Sequence, residues 1–503
     1  MKTHNAQGRL KGLKPIAVID IGSNSVRLVI YEGLVRSPTV FFNEKILCGL
    51  GRGLANTGRL EEASVDMALR TLKRFRELCK RIGVDDIYTL ATAAAREAEN
   101  GPAFIAEAEN ILKRPIRVLA GREEALYSAL GVISSFYKPV GLTGDFGGGS
   151  LELVDIKNNK VGEGITLPLG GLRLKDMSQN NVSEATKIAR KILRKTQLLK
   201  TFKGQNFYAI GGTWRNLAKL HMIMRNYPLP VMHEYEISFQ EAERFLSKVI
   251  KDDVEKIIGI SAISKNRRQL LAYGATVLLE VIHCLKPEKI IFSGAGVREG
   301  FLYSLLPEKK QKQDPLLATT EEMSVLRARS PNHSHELIEW TSKAFSLFDI
   351  VETKNEQRYR EAACFLSDIG WRIHADYRGG QTSSLIAFGL YPGMEHIGRV
   401  FVALTIFYRN EGLVSNNKAP DLIKLVDKKV IERALLLGAV MRLANLFCSS
   451  TSGILPKIGW GADKTGYFIT VPAAYQDLIA DRTLGRASQL SQLVNKPIRF
   501  EIV

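Results

Sequence analysis

The hydrophobic pattern at the start of the chain alternates between short apolar runs and longer segments with helical spacing. Short, largely apolar runs predict strands at 16–19, 26–31, 39–46, 87–91 and 116–119, the first of them fully buried and the second its hairpin partner. Apolar residues recur every three or four positions over 65–82, which predicts an amphipathic helix. A helix beginning near Thr92 and another over 122–134 follow the last two strands.

The same order of elements returns in the next part of the chain. Strands are predicted at 140–143, 151–156, 161–167, 207–210 and 289–293. A basic helix over 183–200, a helix around 214–221 and a last helix ending at Leu306 lie between and after them. A three-stranded meander followed by alternating helices and strands, present twice, predicts a mixed α/β fold with two related lobes.

Beyond residue 306 the pattern becomes mostly helical. The prolines and charges of 307–315 predict a linker. Long amphipathic runs then lie at 336–348, 359–374, 400–408 and 429–447, and short strands return at 467–471 and 498–502. We therefore predict three domains, at residues 1–135, 136–306 and 316–503, the last mainly helical with a small α+β tail.

Two matching segments suggest what the paired lobes do. The sequence from Asp20 to Ile30 has the same pattern as the sequence from Asp145 to Asp155: Asp20 matches Asp145, Gly22 matches Gly147 and Ser25 matches Ser150. In the second copy, Gly147, Gly148 and Gly149 would allow positive φ and converging N–H groups that bind phosphate. Because Asp145 and Glu152 flank this turn, a bound phosphate would need a cation such as Mg²⁺ or Mn²⁺ beside it. The alternative is a tight hairpin with polar ends.

Composition narrows the class of partner. The chain has 503 residues and a formal net charge of +18, which favours polyanionic partners: nucleic acid, an acidic membrane surface or polyphosphate. No zinc-finger spacing or RNP aromatic motif is present in the sequence, so we expect no specific nucleic acid. The sequence has no membrane-spanning apolar run, and we see no secretory signal in it. Five scattered cysteines favour free thiols in a reducing cytoplasm.

An ordered set of motifs resembles a known family. The motifs are Asp20-Ile-Gly-Ser-Asn-Ser-Val-Arg27, Ala91-Thr-Ala-Ala-Ala-Arg96, Gly121-Arg-Glu-Glu124-Ala, Asp145-Phe-Gly-Gly-Gly-Ser-Leu-Glu152, Leu167-Pro-Leu-Gly-Gly-Leu-Arg173, Gly211-Gly-Thr and Val297-Arg-Glu-Gly300. In this order they resemble the bacterial exopolyphosphatase / guanosine pentaphosphate phosphatase family. The resemblance implies two ribonuclease H-like lobes, the duplicated fold of actin, sugar kinases and heat-shock ATPases. It also implies hydrolysis of a terminal phosphoanhydride in the cleft between the lobes.

The resemblance assigns roles to residues of this chain. Glu124 would be the general base that activates the attacking water. Asp145, Glu152 and Asp20 would hold Mg²⁺, with Mn²⁺ as an alternative and a monovalent cation as a further candidate. The phosphate-binding residues would be Ser23, Asn24, Ser25, Arg27, Arg96, Gly147, Gly148, Gly149, Ser150, Gly212 and Thr213.

Several neighbours of these residues have two interpretations. We expect Glu123 to be an ordinary first-turn acid favoured by the helix dipole. The turn at Gly212 and Thr213 could equally be structural, Arg298 could serve only as a helix cap, and Arg173 could face either the cleft or solvent. Arg267 and its neighbours could form a solvated basic face or part of a more cationic site. The family often has Arg-Ala-Asp where this chain has Arg267-Arg268-Gln269.

The C-terminal domain resembles the helical HD-type phosphohydrolases but departs from their metal site. Ser367 precedes Asp368 where the resemblance calls for histidine, and Asn445 stands where an aspartate is expected. Losing two such ligands should abolish a metal site. We expect surface or packing roles for four histidines, His333, His335, His374 and His396. The domain would then be non-catalytic, offering a basic surface to polyphosphate and a homodimer contact.

Four functions remain open at this point. The first is an exopolyphosphatase that releases orthophosphate from inorganic polyphosphate, and the alternative within the family is a guanosine pentaphosphate (pppGpp) 5'-phosphohydrolase, with ppGpp as product. The others are a sugar or acetate kinase and a non-enzymatic sensor of polyphosphate or nucleotides. The expected location is the cytoplasm, with at most peripheral association at the inner membrane face.

Overall fold

The computed structural model describes residue 10, residues 12–413 and residues 420–503. The chain divides into two compact units, one of Gly12–Gln313 and one that includes Asp314–Val503. The finer division of the first unit into lobes at 1–135 and 136–306 stays a prediction, as does the start of the third domain at residue 316. Within the described residues, no helix is both long enough and apolar enough to cross a bilayer.

The first sheet is built around a buried meander. It has five strands in the order β3-β2-β1-β4-β5, with β1, β2 and β3 antiparallel and β4 and β5 parallel to β1. Its core includes Ile19, Leu28 and Phe75, all fully buried. The elements are β1 Ile16–Ile21, β2 Val26–Tyr31, β3 Val40–Ile46, α1 Leu54–Thr57, α2 Glu62–Ile82, β4 Asp86–Ala91, α3 Ala93–Glu97, α4 Gly101–Leu112, β5 Ile116–Val118 and α5 Gly121–Ser135.

The second sheet repeats this plan and adds an edge strand. Its six strands have the order β10-β11-β9-β6-β7-β8. The meander β6-β7-β8 corresponds to β1-β2-β3, and β9 and β11 continue it in parallel, as β4 and β5 do. The elements are β6 Gly141–Phe146, β7 Leu151–Lys157, β8 Lys160–Leu167, α6 Gly171–Met177, α7 Val182–Leu193, α8 Gln197–Thr201, β9 Phe207–Ile210, α9 Gly212–Met224, β10 Tyr235–Ser238, α10 Phe239–Lys251, α11 Lys265–Arg268, α12 Leu271–Leu285, β11 Lys289–Phe292, α13 Val297–Ser304 and α14 Glu308–Gln311.

Helix α5 packs closely on α13 at two glycines. A Cβ on Gly300 would lie 1.8 Å from the carbonyl oxygen of Tyr127, and one on Gly131 would lie 2.4 Å from that of Gly296. Larger residues at these positions would push the helices apart. Because α5 carries Glu124 and α13 carries Arg298, this contact sets where both side chains lie.

The second unit consists of helices and a small terminal sheet. The strand order is β12-β13-β14, with β12 antiparallel and β14 parallel to β13. The elements are α15 Pro315–Arg327, α16 Pro331–Leu347, α17 Lys354–Leu366, α18 Arg378–Phe388, α19 His396–Glu411, α20 Lys428–Cys448, β12 Gly459–Asp463, β13 Gly466–Val471, α21 Asp481–Val494 and β14 Ile498–Ile502.

Three predicted elements differ from the structure. The predicted helix over 183–200 is two helices, α7 and α8, because the backbone of Thr196 is extended and the chain turns there to bury Leu199. The run over 359–374 is helical only to Leu366.

The predicted linker at 307–315 is partly helical. It contains α14, and its last residue, Pro315, opens α15. Proline suits the first turn of a helix because the N–H it lacks has no intrahelical partner there. The carboxylate of Asp314 accepts from the N–H groups of Leu316 and Leu317 and so caps the same turn.

Candidate active site

The two matching segments form two equivalent turns. In each, the first glycine donates its N–H to the serine carbonyl at 3.0 Å: Gly22 to Ser25, and Gly147 to Ser150. Strand pairing then sets Asp20 opposite Arg27 and Asp145 opposite Glu152. The sequence repeat is therefore also a repeat in backbone hydrogen bonding.

The glycines of the second turn are needed for close approach. None of Gly147, Gly148 and Gly149 has a positive φ, so the expectation of left-handed backbone there is wrong. A Cβ on Gly148 would lie 3.0 Å from Cβ of Ser23, and one on Gly149 would lie 3.1 Å from Cβ of Ala93. The absence of side chains lets the second turn lie against the first lobe.

A cleft of about 180 Å³ lies where the turns meet. Most residues predicted from the sequence line it; these are Asp20, Ser23, Asn24, Ser25, Arg27, Glu124, Asp145, Gly147, Gly148, Gly149, Ser150, Gly212 and Thr213. Two predicted site residues, Arg96 and Glu152, do not line the cleft. Arg96 contacts Glu124, and Glu152 interacts electrostatically with Glu124 and Asp145, which do line it.

Glu124 lies in the first turn of α5 and is 8% exposed. Burial, followed by the charge of Asp145, raises the pKa of Glu124 to about 7. Nη1 of Arg96 lies 3.4 Å from its Oε2 and also donates to the Leu119 carbonyl at 2.6 Å. Arg96 is therefore placed to orient the Glu124 carboxylate. A carboxyl group that titrates near neutral pH can take a proton from water at that pH.

The neighbouring acid, Glu123, has a structural role. Its carboxylate accepts from the backbone N–H of Ala120 at 2.9 Å, which caps α5, and it also accepts from Arg117. These contacts confirm the expectation that Glu123 is a first-turn acid. Two adjacent glutamates thus have different surroundings, one capped and paired, the other buried against the cleft.

Two more carboxylates lie beside Glu124: Glu152, which is buried, and Asp145, which is partly buried. Glu152 is 1% exposed, and its Oε1 has no hydrogen-bond partner among the described residues. Burial, then Glu124 and Asp145, raises the pKa of Glu152 well above its usual value. Burial also raises the pKa of Asp145, although the hydroxyl of Ser128 donates to it. This group of acids disfavours its own ionised form, and a cation would relieve the repulsion.

These acids fit a divalent cation whose remaining ligands are oxygen atoms of the substrate and of water. Within the described chain, no three His, Cys, Asp or Glu side chains converge closely enough to hold a metal ion by themselves. Mg²⁺ characteristically takes one or two carboxylates, with phosphate and water oxygens as the remaining ligands. The unpartnered Glu152 oxygen and the raised pKa of Asp145 match that demand.

Five cationic side chains also line the cleft, and sequence reasoning missed two of them. The five are Arg27, Lys45, Arg215, Arg267 and Arg298. Lys45 pairs with Arg27 across β2 and β3, and a Cβ on Gly212 would lie 3.8 Å from its Nζ. Lys45 and Arg215 belong to no motif. Strand register could have pointed to Lys45, whereas no sequence signal distinguishes Arg215.

Burial and neighbouring cations lower the pKa values of two of these side chains, Lys45 and Arg27. Burial and the nearby Arg267 and Arg27 lower the pKa of Lys45 to about 7. Burial and Arg298 lower the pKa of Arg27 to about 10. Arg215 is half-buried, and its Nε is buried without a hydrogen-bond partner among the described residues. A bound polyanion would relieve this repulsion.

The residues with two interpretations are resolved by position. Arg298 lies 3.4 Å from the Asp20 carboxylate and lines the cleft, as Arg267 does. Arg173 does not line it and instead pairs with Glu97. His333 and His396 are buried, and the side chains of His335 and His374 are exposed, as expected for packing and surface residues.

Two sheets of the same topology, each contributing a hairpin turn to one cleft, define the class of duplicated actin-like folds. Within that class, residues 16–309 match the model of the Ppx/GppA phosphatase family, and residues 316–501 match that of the exopolyphosphatase C-terminal region. The chain belongs to the Ppx/GppA phosphatase family.

The chain is similar in part to several known proteins. A bifunctional 3-dehydroquinate synthase/phosphatase from Fusobacterium nucleatum is 28% identical over 296 residues, which are 55% of this chain and 44% of that protein. The chain thus spans less than half the length of this curated relative. The crystal structure of an exopolyphosphatase from Cytophaga hutchinsonii is 23% identical, covers 58% of this chain and 97% of that chain, and has a TM-score of 0.53. The Aquifex aeolicus family member is 24% identical, covering 60% and 100%, with a TM-score of 0.49.

Proposed function

We propose that this protein is an exopolyphosphatase that hydrolyses the terminal phosphoanhydride of inorganic polyphosphate and releases orthophosphate. The observation that carries the proposal is the presence, in one cleft, of two matching glycine- and serine-containing turns, five cationic side chains and Glu124. Phosphoryl transfer needs mainly positioning and charge neutralisation, together with a group that orients water. The cleft combines all three.

In the proposed reaction the two turns bind the terminal phosphate. Backbone N–H groups and the hydroxyls of Ser23, Ser25 and Ser150 donate to its oxygens, while Arg27 and Lys45 neutralise charge on adjacent phosphates. Glu124 accepts a proton from a water whose oxygen attacks the terminal phosphorus. The bond to the bridging oxygen breaks, orthophosphate forms, and the shortened chain leaves with the electron pair of that bond.

Asp145, Glu152 and Asp20 would hold Mg²⁺, which when bound supplies positive charge beside the phosphate oxygens. Mn²⁺ is the alternative ion, and a monovalent cation is a further proposal. The binding can be tested without turnover, by titrating Mn²⁺ into the Glu124→Gln variant and following its paramagnetic resonance signal. Loss of the bound signal on Asp145→Asn supports the assignment, and an unchanged affinity contradicts it.

Polyphosphate is favoured over guanosine pentaphosphate (pppGpp) by the lining of the cleft. Among its described lining residues the aromatic one is Phe146, whose ring is already stacked on Trp214 with centroids 5.2 Å apart. The cleft therefore offers cations for phosphates but no free aromatic face for a guanine base. The pppGpp 5'-phosphohydrolase activity stays the alternative.

The deciding experiment measures phosphate release from long-chain polyphosphate, pppGpp and ATP side by side with Mg²⁺. We expect the highest kcat/KM for polyphosphate. A higher value for pppGpp would select the alternative, and no release from any of the three would contradict a phosphatase role for the isolated chain. The homodimer, the cytoplasmic location and peripheral membrane association stay proposals; light scattering and vesicle sedimentation test the first and the last.

A further inference from the structure

The second unit contains a cavity of about 290 Å³ with an unusual charge composition. Ser367, Asp368 and Asn445, the positions where the resemblance to HD-type hydrolases places metal ligands, all line it. Its described lining also includes six arginines and no carboxylate other than that of Asp368. The arginines are Arg329, Arg378, Arg409, Arg442, Arg482 and Arg486.

The one acid is already paired. Asp368 accepts from the backbone N–H of Arg329 at 3.1 Å and from its guanidinium at 2.9 and 2.7 Å. Arg409 lies 4.0 Å from the same carboxylate. Its charge is therefore committed to Arg329 and Arg409, and the other four arginines have no carboxylate partner within the described lining.

Several buried donors of the cavity lack partners. The hydroxyls of Ser367 and Thr382, whose residues are 3% and 1% exposed, have no hydrogen-bond partner among the described residues, nor do Nε of Arg409 and Arg442. Burying a donor without a partner costs free energy, and so does crowding like charges. Burial, followed by Arg486 and Arg409, lowers the pKa of Arg442 to about 10. Other guanidinium N–H groups of Arg378 and Arg442 donate to backbone carbonyls, which satisfies those donors without neutralising the positive charge. The uncompensated charge and the unpartnered donors favour an anionic acceptor with several oxygens.

We propose that this cavity is a second, non-catalytic binding site for a compact oligophosphate anion, held by arginines where a metal phosphohydrolase would hold it through metal ions. Guanidinium groups bind phosphate oxygens with paired, charge-assisted hydrogen bonds. This site is separate from the phosphatase cleft. It is non-catalytic because its described lining has no unpaired carboxylate to act as a base. The anion is inorganic oligophosphate or the phosphate chain of a nucleotide.

The fluorescence of Trp371 can report binding at this site. Its indole N–H donates to the carbonyl of Arg327 at 2.9 Å, and the guanidinium of Arg329 lies 5.9 Å from its ring centroid. Trp371 also lines the cavity, so an anion drawing Arg329 inward changes the surroundings of the ring. The guanidinium of Arg372 also lies over this ring, 4.7 Å from its centroid, so a base attached to the phosphates would compete with the guanidiniums for the ring.

The test uses the full chain with Glu124→Gln, so that hydrolysis does not consume the ligand. Tripolyphosphate is titrated calorimetrically into this parent and into a derivative carrying Arg482→Gln and Arg486→Gln. Arg482 is exposed and Arg486 half-buried, so their removal should leave the fold intact. The matched control carries Lys428→Gln and Lys429→Gln, which remove the same charge from exposed positions at the start of α20.

We expect the arginine derivative to lose one binding event or to weaken it at least ~10-fold, the size expected for a charged hydrogen bond, while the lysine control matches the parent. Tripolyphosphate should also change the tryptophan fluorescence of the parent, and Trp371→Phe should remove that change. Equal affinity and stoichiometry in the arginine derivative and the parent would overturn the proposal. So would equal losses in the arginine derivative and the lysine control, which would indicate general charge screening.

A second arm distinguishes the two sources of the anion. GTP carries the same number of phosphates as tripolyphosphate, so equal affinities that both depend on Arg482 and Arg486 identify an inorganic oligophosphate site. Tighter binding of GTP that Trp371→Phe reduces to the level of tripolyphosphate identifies a nucleotide site. Dependence on the two arginines is required in either case.

Discussion

The cleft of the first unit and the arginine cavity of the second are both cationic, yet they differ in their acids. The cleft has five cationic side chains and three lining carboxylates, and the pKa of one of these, Glu124, is raised to about 7. The cavity has six arginines and one carboxylate, which is held by Arg329. Cations are sufficient to bind phosphate, whereas hydrolysis also needs an available base and a place for a metal ion. The lining of the cavity in the second unit supplies cations but neither an unpaired carboxylate base nor a group of carboxylates for a metal ion.

The largest expected effect comes from removing the proposed base, Glu124, which the cleft has and the cavity lacks. We expect Glu124→Gln to lower kcat for polyphosphate at least ~100-fold, the usual size of a general-base contribution. Phosphate release measures the loss. The thermal midpoint should not fall, because the change removes a buried charge near Asp145 and Glu152. Glu123→Gln is the matched control and should retain most activity; an equal loss in both variants would place the base elsewhere.

The next effect concerns the one acid of the cavity. Asp368→Asn leaves the arginines without a counter-charge, and we expect it to destabilise the second unit by about 2 kcal/mol, less than a fully buried pair because Arg329 is partly exposed. Thermal unfolding of the full chain measures the shift. Tripolyphosphate should restore part of it, since an anion that binds the folded state stabilises that state. An unchanged midpoint would show that the cavity tolerates its charge without help.

The protonation of Lys45 sets an upper pH limit for phosphate binding in the cleft. Its pKa is lowered to about 7, so the protonated form that binds phosphate is lost as pH rises through that value. We expect kcat/KM of the wild type to fall ~10-fold per pH unit above the pKa of Lys45 in the free enzyme. Lys45→Arg, which stays charged, should remove this alkaline limb. If kcat/KM of the wild type and of the Lys45→Arg variant falls over the same alkaline pH range, a group other than Lys45 causes the fall.

The smallest effect tests the packing of each unit rather than its site. Burial lowers the pKa of His221 in the first unit and of His333 in the second to about 4. A histidine whose folded pKa is depressed favours the unfolded state as pH falls from 6.5 towards 4. We expect His333→Leu to reduce the stability loss between pH 7.5 and pH 5.5 by about 1 kcal/mol. Urea unfolding at the two pH values checks this, and an unchanged loss would contradict it.

Sequence reasoning worked best where a motif carried both a turn and its chemistry. The repeat from Asp20 to Arg27 and from Asp145 to Glu152 predicted two equivalent turns, and both are present with the same hydrogen bond. The duplicated α/β fold class and the mainly helical C-terminal region with its small sheet were predicted correctly, whereas the division into three domains stays a prediction. The errors lie at Thr196 and after Leu366, where an apolar pattern of helical spacing continues past the end of a helix, and at the second turn, where glycine is needed for close approach rather than for positive φ.

By itself, the sequence determined the order of elements, the duplicated turns and the identity of the acids, because those depend on apolar periodicity and on residues adjacent in the chain. Only the tertiary structure decided that Lys45, Arg215 and Arg267 enter the cleft and that six arginines meet around Ser367 and Asn445. These residues come from separate elements, and their convergence depends on strand register and helix packing. Their titration depends in turn on burial and on neighbouring charges, which exist only once the chain has folded.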